Sequence, residues 1–124
     1  MKIRITKLDS LFSQVIRLRA KNKCQRCGRF TEFKRLQAAH CWGRRKQSVR
    51  CDLDNALGLC FACHRIIDSE DPDAKKELFV KYLGEQGYKK LNQRANWPNM
   101  NKVDEKAIEY FLKQELKKYD CNTM

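Results

Sequence analysis

Between residues 7 and 20 the apolar side chains Leu8, Leu11, Phe12, Val15, Ile16 and Leu18 recur at three- and four-residue spacing. That spacing puts them on one face of an amphipathic helix, and the stripe is read as packing surface. Arg17, Arg19, Lys21 and Lys23 follow in its last turn and beyond, where cations complement the helix dipole and are also placed to touch phosphates. Residues 24–28 read as a knuckle turn, with Gly28 free to take a positive φ. Residues 31–39 fit a strand or an irregular crossing segment, 43–47 a basic loop, and 48–53 a second short strand. Helical signals resume at Phe61 and run to about Asp68. Asp71 then suits an N-cap, with Pro72 at the first helical position, where its missing N–H costs nothing. That helix should end at Gly84, a residue suited to the C-terminal cap, and a shorter one should span about 86–95. A loop over 96–99 leads to a last helix over about 103–119, with Val103, Ala107, Ile108, Phe111, Leu112 and Leu116 on its apolar side. The expected fold is α+β: a small strand–loop–strand–helix core with an N-terminal helix over residues 1–71, and a helical extension over 72–124. There are no internal repeats.

A chain of 124 residues buries only a modest core, and small domains often rely on a metal or disulfides. No apolar run approaches the roughly 20 residues that span a bilayer. The opening MKIRITKLDS has no long apolar stretch behind its cations, so it is not a secretory signal. The expected compartment is the cytoplasm, with no membrane partner. In a reducing compartment seven cysteines point to metal ligation rather than disulfides. The net charge of +12 is unevenly spread: residues 1–50 carry 15 Lys/Arg against 2 acids, and residues 51–124 carry 12 against 13. A field concentrated in this way suits a polyanion such as nucleic acid. The alternative is a soluble surface that happens to be lysine-rich.

Two groups of residues carry candidate chemistry. Cys24, Cys27, Cys60 and Cys63 have the form C-x2-C…C-x2-C with 32 residues between the pairs. Four thiolates fill a tetrahedral zinc shell and leave no open position, so the site would be structural. Chance cysteines or a redox pair are the competing readings. Cys41 and Cys51 read as small, partly buried side chains, and Cys121 as part of a tail.

The second group is His40, Asn55, His64 and Asp68, spaced by 15, 9 and 4 residues. His64 and Asp68 lie one helical turn apart and can share a divalent cation, with His40 facing it from a strand end. Phosphodiester hydrolysis needs a base to activate water, which a neutral imidazole can be. It also needs something to take charge from the leaving oxygen, which a metal can do. Asn55 would brace the hairpin loop or join the metal shell. Taken singly, His40 reads as a core histidine, His64 as a neighbour or alternative ligand of the zinc, Asn55 as a turn residue, and Asp68 as a cap or a partner for Arg65. Arg44, Arg45, Lys46 and Arg50 flank the group and are placed to hold phosphates on both sides of a scissile bond. Trp42 would stack on a base or pack on the helix.

The segments LFSQVIRLRA before CQRCG, AAHCWGRRKQSVRCDLDNALGLCFACH, and LFVKYLGEQGYKKL resemble HNH (ββα-metal) endonucleases, in particular phage recombination nucleases of the NinG type. The resemblance covers roughly residues 8–94 and implies a DNA endonuclease in the bacterial host cytoplasm, acting on branched recombination intermediates. It makes His40 the general base and assigns a structural Zn2+ and a catalytic divalent cation (Mg2+, Mn2+ or Zn2+). Many members carry a His or Asp ligand immediately before the base. Here that position is Ala39, so Ala39→Asp is expected to supply the absent ligand. One site per chain cuts one strand, so a double-strand cut needs two chains, as in a homodimer, or two visits. The rival reading is a zinc-stabilised DNA-binding module with a degenerate HNH site.

Overall fold

A computed structural model of the chain describes residues 5–96 and 104–120. The expected loop positions Trp97, Pro98 and Asn99, together with Val103 and Cys121, lie outside the described residues. Helix α1 spans Lys7–Arg19. It opens on a capping box in which Asp9 N donates to Thr6 Oγ1 and Thr6 N donates to Asp9 Oδ2 at 2.8 Å, satisfying two of the amides a helix start leaves without partners. Strands β1 (Gln37–His40) and β2 (Ala56–Leu59) form an antiparallel pair, with Gln37 opposite Leu59 and His40 opposite Ala56. Helix α2 (Phe61–Arg65) widens into a π turn over Ile66–Glu70. Helix α3 spans Pro72–Ala95 and α4 spans Glu105–Asp120. The architecture is therefore mixed, with helices packed around one two-stranded sheet. No described helix is long and apolar enough to cross a membrane.

Several expected features are present. Gly28 takes φ 77° in the knuckle. Asp71 caps α3 by accepting from Ala74 N at 3.1 Å, with Pro72 in the first turn. Gly84, at φ 76° and ψ 167°, breaks α3 into two helical runs at the expected place.

The second strand is displaced. Instead of a strand over 48–53 there are two short 3-10 turns, Gln47–Val49 and Leu53–Asn55. The alternation of Val49, Cys51 and Leu53 mimics a half-buried strand, but Asp52 turns the chain by accepting from Asp54 N at 3.0 Å, a local bond that competes with a ladder. The actual strand, Ala56–Leu59, is buried at every position. It therefore carries no alternation that could be read from sequence.

The hairpin has two covered faces. On one, Ala39, Leu57 and Leu59 pack with Cys63 and Ile67 of α2 and its wide turn, and with Leu78 and Phe79 of α3. On the other, Ala56 packs with Phe12, Val15 and Ile16 of α1 and Leu112 of α4. A third cluster joins Val49 of the loop to Leu91 and Ala95 of α3. Close approach of α1 explains Gly58: a Cβ there would sit 2.8 Å from the Ala20 Cβ. Arg19, expected to be available to phosphates, is instead used inside the fold. It donates to the carbonyls of Leu53 at 3.0 Å and Ala56 at 2.6 Å.

Asp9 is 5% exposed and takes a bidentate pair from Arg50, Nε to Oδ1 at 2.9 Å and Nη2 to Oδ2 at 2.6 Å. Burial works to raise its pKa, but the Arg50 bonds and the Thr6 amide outweigh it and hold the carboxyl below its ordinary value. The pair thus stabilises the fold fully above the unfolded carboxylate pKa, and that contribution is lost as pH falls through the lower folded value. Asp9→Asn, which strands the Arg50 charge, should cost about 3 kcal/mol. Urea midpoints at neutral pH measure this, and the gap between wild type and variant should close in acid.

Candidate functional site

The knuckle is shaped by backbone bonds. Cys24 N donates to Arg29 O at 3.0 Å, Gly28 N donates to Cys24 O at 2.9 Å, and Lys23 bridges to Phe30. It docks on β2 through Gln25, whose amide donates to Gly58 O at 2.9 Å and whose Oε1 accepts from Gly58 N at 2.7 Å. Tyr82 of α3 closes over it, donating to Gln25 O at 2.6 Å. Cys24 and Cys27 thereby meet Cys60 and Cys63 at the β2–α2 junction.

The four sulfurs lie within 4.8 Å of one another, with Cys27 and Cys60 4.0 Å apart. A tetrahedral zinc with Zn–S bonds of about 2.3 Å needs sulfurs about 3.8 Å apart, so the group fits a four-cysteine metal site. Burial pushes the Cys63 thiol up and the neighbouring thiols add to this, although Arg26 donates to its sulfur at 3.5 Å. Burial also acts to raise Cys24, but the amides of Cys27, Cys60 and Arg26 outweigh it and hold that thiol down. A divalent cation among the four sulfurs would offset the mutual repulsion of thiolates held this close.

The histidine group is built on the same scaffold. His40 ends β1, and its ring lies 5.6 Å from that of Phe12 in α1. Burial pulls its pKa down to about 4, with Arg44, His64 and Lys75 adding to the lowering and Asp9 opposing it. The imidazole is therefore neutral at pH 7. His64 lies in α2, with Nδ1 2.6 Å from Gln37 Oε1. The amide oxygen can only accept, so in this contact Nδ1 is the donor and Nε2 is the ring nitrogen that could ligate a metal.

Asn55 is fully buried. Its Oδ1 accepts from Trp42 N and its Nδ2 donates to Trp42 O, both at 2.9 Å. Of its two expected roles it has the bracing one. Asp68 is exposed on the π turn, and Arg65 pairs with Glu70 at 3.5 Å rather than with Asp68. Among the described residues only the four sulfurs form a set of three or more ligand atoms within 4.8 Å, so His40, His64 and Asp68 are not drawn together to that degree.

Ala39 is fully buried against Cys63 and Ile67. An Asp there would bury a carboxylate among apolar side chains, so Ala39→Asp is expected to destabilise the protein rather than tighten a metal.

The basic residues divide into two kinds. Arg50 is engaged by Asp9 and its side chain is 13% exposed, which removes it from the expected phosphate contacts. Arg44 lies 3.8 Å from Asp9 with its side chain 37% exposed, and Arg45 is exposed. Lys46 lies 5.4 Å above the Trp42 ring and donates to Asn96. Trp42 packs on the third cluster and donates from Nε1 to Asn92 at 2.9 Å, so it is a packing residue. Two contributors escaped the sequence reading. Gln37 carried no signal there, whereas Asp9 was announced by the Thr6-x-x-Asp9 spacing of a capping box.

The purified protein should hold one zinc per chain by elemental analysis, and Cys63→Ser should lose both metal and cooperative unfolding, because structural zinc binding is coupled to folding. In a histidine NMR titration His40 should change protonation near pH 4. Since that value is below the unfolded one, its burial leaves stability untouched above about pH 6.5. Stability then falls as pH drops toward 4, where the unfolded chain binds the extra proton. A midpoint near 6.5 in the folded protein would overturn the half-buried placement of the ring.

Compared with known proteins, the chain matches no family model, no curated protein and no solved structure.

Proposed function

We propose that this protein is a metal-dependent DNA endonuclease of the HNH, ββα-metal type, with His40 as the general base and His64 and Asp68 as ligands of a catalytic divalent cation. The observation that carries this reading is the pair of histidines on one hairpin-and-helix unit. His40 is neutral at a strand end, and His64 is fixed by Gln37 with Nε2 left to ligate. His40, unprotonated at pH 7, can take the proton of an attacking water. Asn55 holds the loop between the strands in register by both atoms of its amide, which keeps His40 in place without touching the substrate. Arg44, Arg45 and Lys46 extend from that loop and would bind the phosphates flanking the cut. A divalent cation at His64 and Asp68, Mg2+, Mn2+ or Zn2+, would supply Lewis-acid stabilisation of the pentavalent phosphate and the departing oxygen.

A zinc-stabilised module that binds DNA without cutting is the second reading. The alanine at position 39 and the open spacing of His40, His64 and Asp68 favour it. Both readings use the same basic loop, so only catalysis separates them.

Supercoiled plasmid incubated with Mg2+ or Mn2+ should be nicked, and the nicking should stop when the divalent ion is withheld. His40→Ala should lower the rate by roughly 10²–10⁴ with plasmid binding unchanged. His64→Ala and Asp68→Ala should instead raise the metal concentration needed, with partial recovery at high Mn2+. Retardation of plasmid without nicking under any metal leaves the binding module as the function, and normal cutting by His40→Ala removes that residue as base.

A further inference from the structure

Beside the zinc site lies an open groove of about 690 Å3 whose lining includes Arg29, Phe30, Lys34, Arg35, Gln37 and Phe61. Two features set it apart from ordinary surface. First, Phe30 is 69% and Phe61 64% exposed, so two phenyl rings face solvent on one concavity. Phe30 is held there by the bridge of the knuckle to Lys23, and Phe61 opens α2 immediately after the ligand position Cys60. Both rings therefore sit on backbone that a metal bound at the four cysteines would hold in place. Second, the charge is one-sided. Arg29, Lys34 and Arg35 are exposed, and Glu32 is the one acid on the lining. None of the three cations is drawn into an ion pair with a described residue, in contrast to Arg50 and Arg94.

We infer that this groove binds single-stranded DNA, with Phe30 and Phe61 stacking on unpaired bases and Arg29, Lys34 and Arg35 following the phosphates. An exposed ring with cations beside it is the chemistry by which proteins hold single strands without reading sequence, since every base has a π-face. A duplex keeps its bases inside and offers such rings nothing to stack on. The groove also has a defined relation to the histidine site. Gln37 lines it and holds His64, and Phe61 stands three residues before His64 on α2, hence on a neighbouring row of that helix. A strand lying in the groove would approach the His64 side of the site as unpaired DNA. The arrangement favours substrates in which duplex and single strand meet. That placement rests on the endonuclease reading, whereas the binding itself does not.

The test is fluorescence anisotropy of a labelled oligothymidylate of about ten nucleotides, a length within the range one such groove spans, and of a blunt duplex of equal length. The zinc-loaded protein is used with no Mg2+ or Mn2+ added, so that binding is read apart from cutting. Phe30→Ala combined with Phe61→Ala should weaken single-strand binding at least tenfold and duplex binding less than twofold, while Phe30→Trp and Phe61→Trp should preserve single-strand affinity. Zinc content and circular dichroism confirm that the variants are folded. Unchanged oligothymidylate affinity in the double alanine variant would overturn the inference. So would a wild type that sediments as a dimer and a double variant that sediments as a monomer, which would make the rings an interface between copies of this chain. A protein that never nicks plasmid but loses single-strand binding in the double variant would keep the groove and remove only the endonuclease reading.

Discussion

Four sulfurs from two segments that the sequence keeps 32 residues apart meet within 4.8 Å of one another, and a metal bound among them would constrain much of the local geometry. The knuckle that supplies Cys24 and Cys27 is a short turn on the edge of β2, and the junction that supplies Cys60 and Cys63 is the step from strand to helix. Cys63 and Ile67 pack α2 and its wide turn on Ala39, Leu57 and Leu59. A metal bound by all four thiolates would fix the angle further, because its bond lengths and tetrahedral angles leave little freedom. His64 follows Cys63 on α2, so its direction is set by the same closure and refined by Gln37. The buried sheet face of Ala39, Leu57 and Leu59 packs against Cys63 and Cys24, so these two candidate ligands are also part of the core.

A second constraint is the use of charged side chains as internal ties. Asp9 closes the first turn of α1 and binds Arg50, Arg19 caps carbonyls at the entry to β2, and Arg94 of α3 holds Asp52 at 2.7 Å. These bonds fasten the long connection between β1 and β2, which has only Val49 as a buried apolar anchor. They also change the meaning of the net charge. Arg19 and Arg50, two of the cations over residues 1–50, are engaged inside the fold. The field available to a polyanion therefore comes from fewer side chains, chiefly Arg44–Lys46 on one side of the hairpin and Arg29, Lys34 and Arg35 on the other.

What could be read from the sequence was whatever had a local signature. The stripe of Phe12, Val15 and Ile16, the cap at Asp71, the stop at Gly84 and the cysteine spacing each follow from rules that act within a few residues, and each is where it was expected. The second strand was misplaced because burial of Ala56–Leu59 on both faces erases the alternation that marks a strand, while Val49, Cys51 and Leu53 imitate it. Among the candidate site residues, the bracing role of Asn55 was among those anticipated. The diversion of Arg50 to Asp9 was not, since a residue 41 positions away decides it. Gln37 is a further case, an ordinary polar residue whose importance depends wholly on His64 lying opposite. The burial of Ala39 could not be told from an open ligand position until the packing of α2 was known.

The pairing of α1 with α4 gives the molecule an order of assembly. Leu112 of α4 is fully buried among Phe12, Val15 and Ile16, so the apolar stripe of α1, Lys7–Arg19, is completed by a helix that begins only at Glu105. The four candidate zinc ligands, by contrast, are all present once Cys63 has emerged. During synthesis a bound metal would set the hairpin and α2 early, and α1 could pack on Ala56 of the hairpin. The part of its stripe that Leu112 covers waits for Glu105–Asp120. Nascent chains expose such faces to aggregation, and here the exposure lasts until translation of α4. The vulnerable moment in this protein's life is thus a kinetic one, after the hairpin has formed and before α4 closes over α1.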